Sequence, residues 1–119
     1  MVWYLLILFT ILYVPTSYAG PGDPATAAKA WPLIADGALL IDVRTSDEFV
    51  DGHIDGAVNI PFDQTKTLVG IIGKDKSRPV VLYCQSGNRS GKATKTLEAL
   101  GYTAIYNATG YQALVQTKP

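Results

Sequence analysis

Pro79-Val80-Val81-Leu82-Tyr83-Cys84-Gln85-Ser86-Gly87-Asn88-Arg89-Ser90-Gly91 is the run of sequence that decides the fold. Its first part is short, apolar and β-branched, and reads as a buried strand ending at Tyr83. Its second part is small, polar and glycine-bearing, and leads into a helix-like stretch from Lys92 to Leu100. A strand, a tight loop and a helix start make an anion cradle. Backbone N–H groups point inward, and the helix dipole adds partial positive charge. Cys84 stands at the head of that loop. A thiol there ionises more readily than the ordinary value of about 8.5, toward a range of roughly 3.5–7.5. The competing reading is a buried cysteine acting as a small hydrophobe. The polar loop after Cys84 favours the reactive one.

Working outward, strands and helices alternate. Ala25 to Ala35 is alanine-rich and helical, with Pro32 either kinking it or starting a second short turn, and Asp36-Gly37 ends it. Ala38 to Val43 is apolar on both faces, as in a parallel sheet. Thr45 to Val50 is a short helix capped by Thr45 or Ser46, with acids in its first turn. Gly52 to Gly56 is a turn, and Ala57 to Ile60 a short strand stopped by Pro61. Phe62 to Ile72 reads as a helix, Gly73 to Arg78 as a charged loop. Gly101 caps the helix that ends at Leu100, Tyr102 to Tyr106 is the last strand, and Gly110 to Val115 a last short helix. This order predicts an α/β fold, a parallel sheet with helices on both faces. The Cys84 loop then lies beyond the carboxyl end of a strand, where such sheets place their ligands.

The chain has 119 residues, which suits one domain. Ten basic and ten acidic residues cancel, so no global charge draws it to nucleic acid. No His, Cys, Asp and Glu cluster has metal-ligand spacing, and no motif asks for a cofactor. Val2 to Val14 is almost wholly apolar but shorter than the roughly 20 residues of a membrane span. With Ser17-Tyr18-Ala19 behind it, it reads as a signal peptide over residues 1–19, cleaved after Ala19. No Lys or Arg precedes the apolar run, so an uncleaved membrane anchor is the alternative. Export implies an oxidising compartment, where an odd cysteine means an intermolecular bridge or a free thiol with a task. Cys84 is the single cysteine and has no partner within the chain.

Three pieces of sequence resemble the rhodanese-like sulfurtransferase family. They are Leu40-Ile41-Asp42-Val43-Arg44 with Glu48-Phe49, then Gly52 through Pro61, then Val81 through Ser90. The chain is most similar to periplasmic single-domain thiosulfate sulfurtransferases of bacteria. The resemblance covers about Leu39 to Ala113 and implies a rhodanese-like domain over 38–117, which follows the linker and first helix read from residues 20–37. It also implies an exported, periplasmic protein with no stable membrane partner once the signal is removed, and it fixes no oligomeric state. Its partners are then a small anionic sulfur donor and a thiophilic acceptor. Cys84 is the implied nucleophile, carrying sulfur as a persulfide from thiosulfate to cyanide or a thiol. Gln85, Ser86, Gly87, Asn88, Arg89 and Ser90 form the substrate-binding loop. Their N–H groups stabilise charge as it develops, and Arg89 holds a sulfo group through paired hydrogen bonds.

Other residues take supporting roles. Asp42 and Arg44 follow a strand and read as a buried or half-buried ion pair that holds the site's surroundings. His53, the sole histidine, reads as a structural turn residue, and Lys92 and Lys95 as solvated lysines. Related Cys-based phosphatases and arsenate reductases place Arg six positions after Cys. Here Arg89 is five positions on, which suits sulfur better than phosphate, and no second cysteine exists to resolve an arsenate intermediate. A non-catalytic binding module is the remaining alternative, and it has no need of a thiolate. Many family members carry paired glycines after the last strand. This chain has Ala108-Thr109-Gly110-Tyr111, which predicts a differently shaped loop over the site.

Overall fold

The structure, a computed structural model, describes residues 20–119. The expected signal segment lies outside the described residues. Four parallel strands form one sheet in the order β2-β1-β3-β4: β1 is Leu39–Asp42, β2 Val58–Asn59, β3 Val80–Cys84 and β4 Ile105–Gly110. Six helices surround it: α1 Pro24–Ala28, α2 Ala30–Ala35, α3 Ser46–Asp51, α4 Thr65–Ile72, α5 Asn88–Ala99 and α6 Tyr111–Thr117.

The two-residue period of the strands divides the core into two layers. Ile41, Val43, Val80, Leu82 and Cys84 face one side and pack with Leu68 and Ile72 of α4 and Ala93 and Leu97 of α5. Leu40, Val81 and Tyr83 face the other side and pack with Ala27, Ala30, Ala113 and Leu114 of α1, α2 and α6. Every residue of β3 is buried, as the apolar run before Cys84 requires. The α1 and α2 helices thus belong to the core layer. Pro32 lies in the first turn of α2, where a missing N–H removes no intrahelical bond, so a second helix starts there.

Several elements differ from the sequence reading. The α5 helix begins at Asn88, directly after the loop, and not at Lys92. The last strand is Ile105–Gly110 rather than Tyr102–Tyr106. Tyr102 is buried before the strand starts: its N–H donates to Leu97 O and its hydroxyl to Gly73 O, which hold it against the end of α5. The strand then runs on, because Gly110 pairs with Cys84 across an irregular register. Pro61 diverts Phe62 to Gln64 into a turn, so α4 starts only at Thr65.

One buried ion pair ties the strand ends to the turns around them. Arg44 Nη2 lies 2.8 Å from Asp42 Oδ2, with the two side chains 4% and 0% exposed. Arg44 also donates to Gly52 O at 2.7 Å, and its guanidinium stacks 4.7 Å from the ring centre of Tyr111. Asn59 Nδ2 donates to the carbonyls of Asp42 and Arg44, joining β2 to the same corner. The expected ion pair is therefore present and buried. Arg44→Ala leaves the Asp42 carboxylate buried without its cation and is expected to cost about 3–5 kcal/mol of folding stability, read as a lower urea midpoint. Arg44→Lys cannot reproduce the fork-shaped contact and is expected to fall between the two.

Candidate active site

Cys84 closes β3, and the chain turns at once through Gln85, Ser86 and Gly87 into α5. Gly87 makes this possible. Its φ is +104°, a left-handed conformation, and a Cβ there would meet Thr109 Cα at 3.1 Å. The tight turn brings donors onto the sulfur. Gly87 N–H donates to Cys84 Sγ at 3.0 Å, and Ser90 Oγ lies 3.3 Å from it. Burial pushes the thiol pKa up. The Ser90 hydroxyl and the N–H groups of Ser90, Gly87 and Ser86 outweigh burial, so Cys84 lies below its ordinary value. The residue itself is 0% exposed.

Of the predicted loop residues, Ser86, Gly87 and Ser90 aim donors at the sulfur. Ser90 is buried; Gln85, Ser86, Gly87 and Arg89 are half-buried, and Asn88 is exposed. Arg89 differs from its expected use. Its Nη1 and Nη2 donate to the two carboxylate oxygens of Glu48 at 2.7 and 3.0 Å. The guanidinium therefore bridges the first turn of α5 to the first turn of α3. Glu48 also completes a capping box, accepting from Thr45 N–H and donating its own N–H to Thr45 Oγ1. The sequence reading used Glu48 only as part of a signature and as a first-turn acid, because an ion pair between residues 41 positions apart leaves no local signal.

One further residue, Asn107, was missed. Asn107 on β4 lies 2.7 Å from Ser90 Oγ through its Oδ1, and its Nδ2 donates to Gly87 O at 3.1 Å. Thr109 N–H donates to the same Oδ1. A polar Asn within a parallel strand was the available signal. His53 is held away from this chemistry, its Nδ1 2.8 Å from Phe49 O and its ring stacked on Phe49. Beside Gln85 opens a cleft of about 240 Å³, lined by Arg44, Glu48, Asp51, Gly52, Tyr111 and Gln112. Among the described residues no group of acids, His and Cys is placed to hold a metal ion.

A parallel sheet with a cysteine cradle at its carboxyl edge defines a rhodanese-like domain. The sequence profile of the rhodanese-like domain matches residues 26–116, and the chain belongs to that family. It is 34% identical over 95 residues to the thiosulfate sulfurtransferase PspE of Escherichia coli, covering 80% of this chain and 83% of PspE. It is 53% identical over 73 residues to the uncharacterized protein YqhL of Bacillus subtilis; the match covers 61% of this chain but only 56% of YqhL. The solved structure of the human single-domain sulfurtransferase TSTD1 superposes with a TM-score of 0.64 at 28% identity, covering 76% of this chain and 93% of that one.

The Glu48–Arg89 pair carries a pH signature. Arg89 first, then the Thr45 contacts, hold the Glu48 carboxyl at about 2, against a partial opposing effect of burial. A carboxyl depressed in the folded state contributes stability above its ordinary value of about 4.3, and that contribution is lost as pH falls toward 2. Glu48→Gln is therefore expected to flatten the acid limb of a stability-versus-pH curve between about pH 4.5 and 2 while leaving its neutral limb parallel to wild type. Chemical denaturation across that range is the check.

Proposed function

We propose that this chain is a sulfurtransferase that carries the outer sulfur of thiosulfate, or of a similar anionic donor, on Cys84 to a thiophilic acceptor such as cyanide or a thiol. The observation that carries the reading is the convergence of Gly87 N–H and Ser90 Oγ on Cys84 Sγ. These donors favour the thiolate, which is the nucleophile. Relatives named as thiosulfate sulfurtransferases support the choice of donor.

The first step forms a bond from Cys84 Sγ to the outer sulfur of thiosulfate and breaks the donor's S–S bond. Sulfite leaves with the electron pair. The acceptor then attacks the outer sulfur of the persulfide, and the Cys84 thiolate is released with the bonding pair. Both leaving groups are anions, and the inward N–H groups of residues 85–90 stabilise charge where it appears. Gln85, Ser86, Gly87, Asn88 and Ser90 supply that lining. Arg89 contacts the sulfo group with the N–H groups that Glu48 leaves free. Asp42 and Arg44 hold the corner behind the loop. Because Cys84 has no accessible surface, groups at the mouth must shift for a donor to enter.

Among the described residues no helix is long and apolar enough to cross a membrane. The apolar run from Val2 to Val14 followed by Ser17-Tyr18-Ala19 supports an exported, periplasmic enzyme, the alternative being one anchored by that run and facing the periplasm. A lone thiol there gains from burial, since oxidation follows exposure.

With thiosulfate and cyanide, wild type is expected to form thiocyanate and Cys84→Ser to form none above background. Equal rates for the two would remove the reading. Arg89→Ala is expected to raise the KM for thiosulfate about ten-fold or more with the fold retained, read as an unchanged far-ultraviolet circular dichroism spectrum, as the loss of a charge-assisted contact predicts.

A further inference from the structure

A chain of hydrogen bonds leaves the cradle through β4 and ends on the segment that precedes α1. Ser90 Oγ lies 3.3 Å from Cys84 Sγ and 2.7 Å from Asn107 Oδ1. A hydroxyl has one proton to donate, so sulfur and amide compete for it. The amide cannot turn to relieve the competition. Asn107 Oδ1 accepts from Thr109 N–H at 3.0 Å, and Nδ2 donates to Gly87 O at 3.1 Å. A flip would set Nδ2 against the Thr109 donor and Oδ1 against the Gly87 carbonyl.

Thr109 is itself held in an unusual state. It is the only residue other than glycine with a positive φ among the described residues, at +71°. A β-branched residue there is strained. Asp23 N–H donates to Thr109 Oγ1 at 2.8 Å, and Pro21 O accepts from Ala113 N–H. The segment packs so closely that a Cβ on Gly110 would lie 2.1 Å from Pro21 O and 2.5 Å from Gln85 O. Residues 21–23 therefore strap Thr109 in the conformation that aims its N–H at Asn107.

We infer that Asn107 is a positioning residue for sulfur transfer: it competes with Cys84 for the single proton of Ser90 and so sets how readily the thiol ionises. With a neutral thiol, Ser90 donates to Asn107 and its oxygen accepts the S–H. With a thiolate, the Ser90 proton turns to sulfur, and Asn107 keeps the Thr109 bond. With a persulfide the charge has moved to the outer sulfur, and the proton returns to Asn107. The donor thus follows the charge on Sγ. A less acidic thiol is also a stronger nucleophile once ionised. The charged groups around the cradle are Arg89 on α5, Glu48 on α3, and Asp42 with Arg44 at the end of β1, while β4 contributes none. Asn107 acts through a neutral hydrogen bond inside this fixed charge set. The consequence for turnover rests on the proposed sulfur transfer, but the ionisation itself does not.

The test reads the Cys84 thiol titration by thiolate ultraviolet absorbance in the full chain. Asn107→Leu removes the competing acceptor and keeps the volume, and the midpoint is expected to fall. At a pH below it, the thiolate fraction is expected to rise about three- to ten-fold, the worth of one hydrogen bond. The same change made in a Ser90→Ala background is expected to leave the midpoint where Ser90→Ala alone puts it. An unchanged or raised midpoint in Asn107→Leu would overturn the inference, because a merely structural Asn107 lets Gly87 N–H drift from sulfur and raises the thiol. Asn107→Ala reads the same competition if Leu is not accommodated. Failure of both to fold would make Asn107 a structural residue and contradict the assignment. Loss of thiosulfate turnover in wild type with the titration shift intact would contradict the proposed function alone.

Discussion

The structure depends on one constraint: a fully buried sulfur at the end of β3 must have its charge answered by hydrogen-bond donors within a very short loop. Burial alone raises a thiol. The turn through Gly87 reverses that by aiming its own N–H at Sγ and delivering Ser90 one helical turn later. This sets what the neighbours must be. Gly87 carries no side chain because Thr109 approaches it, and Gly110 carries none because Gln85 and Pro21 do. The sheet order places β3 between β1 and β4, so each neighbour strand ends beside the loop and supplies a buttress.

Those buttresses divide by chemistry. On the β1 side the support is ionic and buried: Asp42 and Arg44, joined to Gly52 and capped by the Tyr111 ring. On the β4 side it is neutral: Asn107 and Thr109, joined to Gly87 and Ser90. Across the mouth the Glu48–Arg89 pair is half-exposed and screened by solvent. A neutral support next to the sulfur lets the thiol ionise without a competing full charge behind it. The ionic support acts one strand away, where it organises turns.

Much of this was legible in the chain. The β3 run, the loop after it and the sheet class follow from local apolar pattern and glycine placement. The Asp42–Arg44 pair was legible because the two residues lie on the same strand end. The start of α5 was misplaced because Asn88, Arg89 and Ser90 look like loop residues; tertiary packing of Ser90 and Ala93 against the sheet overrides that propensity. The last strand was misplaced because Tyr102 looks like a strand residue and is instead pinned by its hydroxyl to Gly73. Arg89 looked free because its partner lies 41 positions earlier, and Asn107 went unread because it lay just past the expected end of the last strand. Both errors have one cause: contacts between distant elements leave no periodicity to read. The departure at Ala108-Thr109-Gly110 was seen, and the structure gives its form as a threonine at positive φ.

The central claim is that Cys84 is the atom that carries sulfur. Treating the protein with excess thiosulfate, removing the reagent, and measuring peptide masses tests it directly. The account predicts a gain of one sulfur atom on the peptide bearing Cys84, discharged by added cyanide. An unmodified Cys84 after thiosulfate, or sulfur gained elsewhere and untouched by Cys84→Ser, would contradict it.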